Sequence, residues 1–175
     1  MRNNKYDVLV TGGGIAGCAA AKAAADAGKS VAMIFPNGGA SEISSGAIDI
    51  LGVIPGEEAE IVEDYEKGIE KIVAAYPDHP YKYSGKDVSK GVSELIGLAA
   101  AGGYGLQGFD GKNVWVPNIM GTFSVAAYLP DTMTDSVCTS EKDVVLVVGF
   151  EGNVNFNAEA AAQSYNKYQK QLGFR

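Results

Sequence analysis

Glycine residues at a fixed spacing near the amino terminus are the residues most able to take part in chemistry. Gly12, Gly14 and Gly17 fit the pattern G-x-G-x-x-G, and they follow the apolar run Val8–Val10. The first glycine lets the chain turn sharply out of a strand, the second lets a pyrophosphate approach the backbone, and the third lets a helix lie close to the strand. The free N–H groups and the dipole of that helix attract phosphate. The segment therefore predicts nucleotide binding, and a glycine turn that only packs a strand against a helix is the alternative.

Two strands and a helix must position this turn. The apolar pattern predicts a strand over Tyr6–Thr11, an alanine-rich helix over Ile15–Ala27 and a second, parallel strand over Lys29–Phe35. A helix that joins two parallel strands makes a right-handed βαβ unit. Cys18, near the start of the helix, is expected to be a small buried residue. The sequence thus predicts an α/β fold with a Rossmann-like parallel sheet of the FAD/NAD(P)-binding type.

The residues after the second strand bear on which nucleotide is bound. A dinucleotide-binding strand is expected to end in Asp or Glu, which binds a ribose hydroxyl, but this strand ends in Phe35–Asn37 and the next acid is Glu42. This disfavours an NAD-dependent enzyme. One hypothesis is that Asn37 replaces the acid as a hydrogen-bonding partner; the alternatives are that the adenosine is held differently or is absent. The small residues that follow, including Gly39 and Ser41, favour a loop that approaches a flat ligand over a flexible surface loop.

Composition excludes several functional classes. The net charge of −7 argues against binding to nucleic acid or to an anionic membrane surface. Cys18 and Cys138 are far apart and form no C-x-x-C pair, so the chain alone is not expected to ligate an iron–sulfur cluster, and we predict no metal site. The sequence shows neither a secretory signal nor a membrane-spanning run, so we expect a cytoplasmic setting.

The rest of the chain carries helical and strand patterns but few chemical groups. The single histidine, His79, stands before Pro80; we expect a structural hydrogen-bonding role for it and keep it as a weak catalytic candidate. The predicted elements are a helix over Glu63–Ala75, a helix opened by a Ser84–Asp87 capping box and ending near Ala101, a hairpin of Tyr104–Phe109 and Lys112–Pro117 around an Asp110-Gly111 turn, a strand over Asp143–Val148, and a helix over Asn157–Leu172.

Four stretches of the chain together resemble a known family. They read YDVLVTGGGIAG, GGASEISSGAIDILG, HPY and VPNIMGTFSVAAYLP. These stretches are similar to the second flavoprotein subunit, called the B subunit, of anaerobic glycerol-3-phosphate dehydrogenase, within the larger group of flavoproteins similar to fumarate reductase. The resemblance covers nearly the whole chain, and its most particular part is the SSG-x-x-D-x-L segment Ser44–Leu51. The family also lacks the acid after the second strand.

The resemblance implies a flavin cofactor, FAD, with FMN as the alternative. It implies that Ser44, Ser45 and Gly46 lie near the flavin ring. With the glycine turn and the loop after the second strand, the predicted cofactor-binding residues are Gly12, Gly13, Gly14, Ile15, Ala16, Gly17, Asn37, Gly39, Ser41, Ser44, Ser45 and Gly46.

The function that the resemblance implies is that of a flavin-binding subunit. It would relay electrons from substrate towards iron–sulfur or quinone acceptors, in a hetero-oligomer with dehydrogenase and iron–sulfur subunits. It would reach the inner face of the membrane only through a partner. We do not expect the chain to be catalytic alone, because it offers no set of base, nucleophile and metal. The alternative is a non-catalytic, Rossmann-like structural subunit or fragment of a larger assembly.

The domain organisation is predicted from the same observations. We expect residues 1–135 to form an incomplete flavin- or dinucleotide-binding domain with inserted helices and a hairpin. Residues 136–175 are expected to begin a second α/β segment, similar to the start of the family's cap or substrate domain, or to add a further βα unit to the same sheet. Members of the family are longer, so we expect this chain to be an amino-terminal fragment, a split-gene product or one piece of a larger assembly. We expect it to need partner chains for stability or for tight flavin binding.

Overall fold

The computed structural model describes residues 5–140 and 142–172. The described residues form two compact units, one that ends at Gly46 and one that begins at Ala47. Both units contain helices and strands, which is consistent with the predicted α/β class. Among the described residues, no helix has the length and the apolar character needed to cross a membrane.

The first unit is the predicted strand–helix–strand arrangement. It consists of β1 (Val8–Thr11), α1 (Ile15–Asp26) and β2 (Val31–Ile34). The two strands pair in parallel, with Val8 opposite Val31. This sheet has two strands, so the larger Rossmann sheet stays a prediction.

The faces of the first unit are only partly covered. Leu9 is 58% exposed and Ile34 is 61% exposed, and the residues of α1 are all exposed or half-buried. The expectation that Cys18 is buried is therefore wrong: Cys18 is exposed, and its thiol donates to the carbonyl oxygen of Gly13 at 3.7 Å. The reason is that α1 packs on the sheet with one face and turns Cys18 away from it.

The amino-terminal half of the second unit is a small strand pair followed by helices. β3 (Val53–Ile54) and β4 (Glu60–Ile61) pair antiparallel. The helices are α2 (Tyr65–Ala75), α3 (Tyr81–Ser84) and α4 (Val88–Ala101), with a 3-10 turn over Gly85–Asp87 between the last two. A core of Ile54, Val62 and Ile72 joins β3 to α2 and so fixes the position of that helix.

The caps of these helices differ from the predicted ones. The capping box at Ser84 is wrong, because Ser84 is the last residue of α3 and its hydroxyl donates back to the carbonyl oxygen of Pro80 at 3.4 Å. Asp87 precedes α4, yet its side chain makes no capping hydrogen bond to a described residue. The observed cap belongs to α2, where Asp64 accepts from the N–H of Lys67 at 3.1 Å. The chain is already helical over Tyr81–Ser84 and Gly85–Asp87, so Ser84 does not stand at the start of a helix and cannot cap one.

Four strands follow the helices. They are β5 (Leu106–Gly108), β6 (Val114–Pro117), β7 (Phe123–Ala126) and β8 (Tyr128–Pro130). The predicted turn is confirmed: Asp110 and Gly111 have φ of 52° and 76°, as in a type I′ turn. The predicted pairing around it is wrong, because β5 pairs with β8 and β6 pairs with β7, both antiparallel.

The carboxy-terminal part is a helix beside an extended apolar run. α5 (Ala158–Gln169) begins at Asn157, whose side chain accepts from the N–H of Ala160 at 2.9 Å. The strand predicted over Asp143–Val148 is wrong for this structure, because no described strand lies beside the run to form a ladder with it.

Candidate functional site

The carboxyl end of β1 and the start of α1 form the centre of the site. Gly12 has φ of +110°, a conformation that L side chains rarely adopt, and its N–H donates to the carbonyl oxygen of Ile34 at 3.0 Å. A Cβ built on Gly17 would lie 2.1 Å from the carbonyl oxygen of Gly12. Glycine at both positions is therefore what lets α1 start directly against the turn.

The first N–H groups of α1 are the donors that this turn exposes. Gly14 precedes the helix with an extended backbone. The N–H of Ile15 donates to the hydroxyl oxygen of Ser41 at 3.0 Å. The N–H groups of Ala16 and Gly17 have no acceptor among the described residues. The start of α1 thus presents N–H donors of the kind that bind phosphate. In this structure the hydroxyl oxygen of Ser41 accepts from one of them, the N–H of Ile15.

The segment after β2 folds back onto the same place. A 3-10 turn over Gly39–Ile43 brings Ser41 to α1, and a Cβ on Gly14 would lie 3.3 Å from the carbonyl oxygen of Gly38. A Cβ on Gly13 would lie 2.5 Å from Cδ2 of Phe35. The structure therefore brings the predicted glycine turn and the predicted loop together at the amino end of α1.

Asn37 and Glu42 shape the loop. The side-chain oxygen of Asn37 accepts from the N–H of Gly39 at 3.0 Å, so its amide group is left as a donor. Oε1 of Glu42 accepts from the N–H of Gly38 at 2.6 Å. A Cβ on Gly38 would lie 2.8 Å from Cγ of Glu42. Glu42 was not among the predicted site residues; its carboxylate fits beside Gly38, four positions before it, because that residue has no side chain.

Ser44, Ser45 and Gly46 complete the first unit. Gly46 has φ of +83°, and its N–H donates to the hydroxyl oxygen of Ser44 at 3.2 Å. Ser44 and Ser45 are exposed and Gly46 is half-buried. The predicted nearness of these residues to a flavin ring stays a prediction, since their geometry shows only a short turn with exposed hydroxyls.

His79 lies in the second unit and acts in a turn. Its Nδ1 accepts from the N–H of Tyr81 at 3.2 Å, and its ring lies 5.1 Å from the ring of Tyr81. Its carbonyl oxygen accepts from the N–H of Lys82 at 2.9 Å. These contacts account for His79 as a structural residue between α2 and α3, and its weak candidacy as a catalyst stays untested.

Comparison with known families identifies the cofactor of the chain. Residues 7–169 match the family described as the FAD binding domain. The chain belongs to this family. FAD, the predicted cofactor, is therefore confirmed in preference to FMN.

Individual relatives of this FAD-binding domain carry the name that the sequence motifs suggested. The chain is 32% identical over 158 residues to the probable anaerobic glycerol-3-phosphate dehydrogenase B subunit of Halobacterium salinarum, and the match covers 89% of this chain and 35% of that protein. It is 28% identical over 161 residues to the B subunit of the same enzyme from Pectobacterium atrosepticum, covering 90% of this chain and 38% of that protein. The chain thus spans little more than a third of these relatives. No solved structure matches it significantly.

The residues present fit the pyrophosphate end of FAD. Gly14 offers backbone without a side chain, and the first turn of α1 carries no acidic residue that would repel phosphate. The unpaired N–H groups of Ala16 and Gly17 are suitable donors. The hydroxyl of Ser41 holds the N–H of Ile15 through a neutral hydrogen bond, and a phosphate oxygen makes a stronger, charge-assisted one.

Proposed function

We propose that this chain is a flavin-binding part of an oxidoreductase related to anaerobic glycerol-3-phosphate dehydrogenase. The start of α1 holds the pyrophosphate of FAD, and Ser44, Ser45 and Gly46 lie beside its ring. When bound, FAD supplies the redox chemistry, accepting electrons from a reduced substrate and passing them on. The protein binds and orients the cofactor, and the other subunits supply substrate oxidation and iron–sulfur acceptors.

One observation carries this proposal. A Cβ on Gly17 would lie 2.1 Å from the carbonyl oxygen of Gly12, so α1 starts directly against the turn, and the N–H groups of Ala16 and Gly17 have no acceptor among the described residues, in a chain of the FAD-binding family. The names of the relatives support the more specific assignment, because each is called a B subunit of anaerobic glycerol-3-phosphate dehydrogenase. Assembly with other subunits, and attachment to the inner membrane face through one of them, belong to the same proposal.

The domain organisation is also part of the proposal. Residues 1–135 belong to the flavin-binding domain, and residues 136–175 begin a second α/β segment. The apolar run before α5 supports the second statement. Val144, Val145 and Val147 line a small cavity with Ala162 and Tyr165 of α5, so this run packs against the helix.

A structural, non-catalytic subunit is the second candidate. The hydrogen bond from Ile15 to Ser41 favours it, because the start of α1 is partly satisfied without a ligand. In that case the hydroxyl of Ser41 would cap the start of α1 permanently, and phosphate would not replace it as the acceptor for the N–H of Ile15.

Flavin titration of the purified full chain separates the two candidates. We expect FAD to bind with quenching of its fluorescence. We expect the Gly14→Ala variant to bind it more weakly, because the added methyl group would lie 3.3 Å from the carbonyl oxygen of Gly38 and crowd the loop at the start of α1. Gly91→Ala on α4 is the control, since no described atom lies within 4 Å of the added Cβ. Absence of flavin binding, or equal binding by Gly14→Ala and the unaltered chain, would leave only the structural role.

A further inference from the structure

A groove of about 630 Å³ runs along α2 in the second unit. It lies between that helix and the corner formed by α3 and the start of α4. Its floor contains Ile69, Val73 and Tyr81. Ile69 is buried, and the other two are half-buried. The floor is therefore an apolar surface that is open to solvent along its length.

The two walls of the groove carry opposite charges. Glu66 and Glu70 stand on the α2 side, and Lys82 and Lys86 stand on the opposite side. All four side chains are exposed. Within the described part of the chain, the ion pairs formed by lysines involve other residues. Lys82 and Lys86 thus form no described ion pair with the glutamates of the other wall, so the two walls keep opposite charges; Nζ of Lys82 lies 5.6 Å from the centroid of the Tyr83 ring.

Fixed contacts keep the groove open. The hydroxyl of Ser89 donates to Oε1 of Glu66 at 2.6 Å and so ties α4 to α2. A Cβ on Gly85 would lie 2.7 Å from Cγ2 of Ile69, so the backbone of the corner lies directly on the floor. The hydroxyl of Tyr81 donates to the carbonyl oxygen of Ile50. The groove is therefore preformed, which lowers the cost of binding.

We propose that this groove docks an amphipathic helix of a partner polypeptide. The apolar stripe of that helix lies on Ile69 and Val73. Basic residues border the stripe on the side of Glu66 and Glu70, and acidic residues border it on the side of Lys82. The proposal rests on the proposed function, because a subunit of a complex needs such a surface.

The charge pattern selects this occupant over others. Nucleic acid or an anionic membrane would be repelled by Glu66 and Glu70. A small-molecule site needs a few polar groups that converge inside an enclosed pocket, whereas the floor here is apolar and open. A helix is about 10–12 Å wide with its side chains, and it offers apolar residues at i and i+4 with charges on both flanks.

The test uses a fluorescent amphipathic peptide of about 20 residues, a length at which an isolated helix is stable enough to form. Its apolar stripe has lysines on one flank and glutamates on the other. Two control peptides carry lysines on both flanks or glutamates on both flanks. Reversing the direction of a helix exchanges its flanks, so only these uniform peptides meet a like-charged wall in either direction. We expect the mixed peptide to bind and both uniform peptides to bind more weakly by anisotropy.

Paired variants of the full chain locate the binding. Ala74 lines the groove, so Ala74→Trp fills it. Ala75 is the next residue and does not line the groove, so Ala75→Trp is the matched control. Glu70→Lys reverses a wall charge, and Glu58→Lys makes the same change at an exposed residue away from the groove. We expect about a tenfold loss of affinity for each groove variant, which corresponds to about 1.4 kcal/mol, and no loss for the controls.

The outcomes separate this proposal from the proposed function. Equal binding of the three peptides, no binding of any peptide, or equal loss in groove and control variants overturns the docking site. Flavin content is measured on the same samples. A chain that binds FAD but not the mixed peptide refutes the groove alone. A colourless chain that binds the mixed peptide through the groove refutes the flavin function alone.

Discussion

Replacement of Gly17 by alanine adds one methyl group where α1 meets the turn after β1. The new Cβ would lie 2.1 Å from the carbonyl oxygen of Gly12 and 3.6 Å from Cγ1 of Val10. Non-bonded heavy atoms settle at about 3.5 Å or more, so α1 or the turn must move by roughly 1 Å. This movement displaces the N–H groups at the start of α1 relative to the turn that positions them.

Two opposing effects set the size of the change. Alanine is better than glycine in a helix by about 1 kcal/mol, and overpacking costs about 1–3 kcal/mol. The free energy of unfolding should therefore fall by no more than about 2 kcal/mol. Binding should suffer more, because a shift of roughly 1 Å breaks at least one hydrogen bond to a charged phosphate, which is worth about 1.5–3 kcal/mol. We expect the Kd for FAD to rise by at least about tenfold.

The assay compares Gly17→Ala with Gly91→Ala. The added Cβ at position 91 meets no described atom within 4 Å, so this variant gains helix propensity without a clash. Its melting temperature should rise and its affinity for FAD should not change. Both variants are measured by thermal denaturation and by quenching of flavin fluorescence. If Gly17→Ala binds FAD as tightly as the unaltered chain, the close approach at this turn does not position the pyrophosphate.

Three further predictions concern other parts of the chain. Glu42→Gln should weaken the binding of FAD but not of FMN in a fluorescence titration, because the carboxylate held by the N–H of Gly38 in the loop after β2 is suited to the adenosine ribose hydroxyl that FMN lacks. Glu57→Gln is the control, and equal loss for both flavins would contradict the prediction. Burial and the hydroxyl of Tyr128 raise the pKa of Tyr65 to about 12, so the native state keeps a proton that the unfolded chain loses above about pH 10. Stability in urea should therefore fall from pH 10 towards 12, and less steeply for Tyr65→Phe; equal slopes would refute this. Leu146→Lys should leave the melting temperature in thermal denaturation unchanged because Leu146 is 85% exposed, whereas a large loss of stability would show that the side chain is covered.

Local patterns predicted the first unit well. β1, α1 and β2 fall inside the predicted ranges because their signals are short in range: an apolar run, a glycine turn and an alanine-rich helix. The Asp110-Gly111 turn was also predicted correctly, since left-handed φ at two successive positions is a property of those residue types. The predicted partner of β6 was wrong, although its true partner, β7, follows it closely in sequence. The hydrogen bonds of Asn118 with Thr122 close a tight β6–β7 connection instead, and β5 is left to pair with β8.

The site contains contacts that the spacing of the glycines could not predict. The G-x-G-x-x-G spacing identified the turn at Gly12, Gly14 and Gly17, where Gly12 has φ of +110° and a Cβ on Gly17 would clash with the backbone. Gly13 occupies a variable position of the pattern, yet a Cβ there would lie 2.5 Å from the ring of Phe35. Glu42 reaches the N–H of Gly38, four positions before it, because of the 3-10 turn over Gly39–Ile43. Neither contact follows from spacing alone.

The strand predicted over Asp143–Val148 did not form because the described residues leave most of this apolar run uncovered. Val144, Val145 and Val147 all line the cavity beside α5, so the contacts do not alternate along the chain. Val144 is 96% exposed and Leu146 is 85% exposed. Strands that are apolar on both faces occur where both faces and both edges are covered. The run therefore carries the sequence pattern of a buried strand, while no described strand pairs with it.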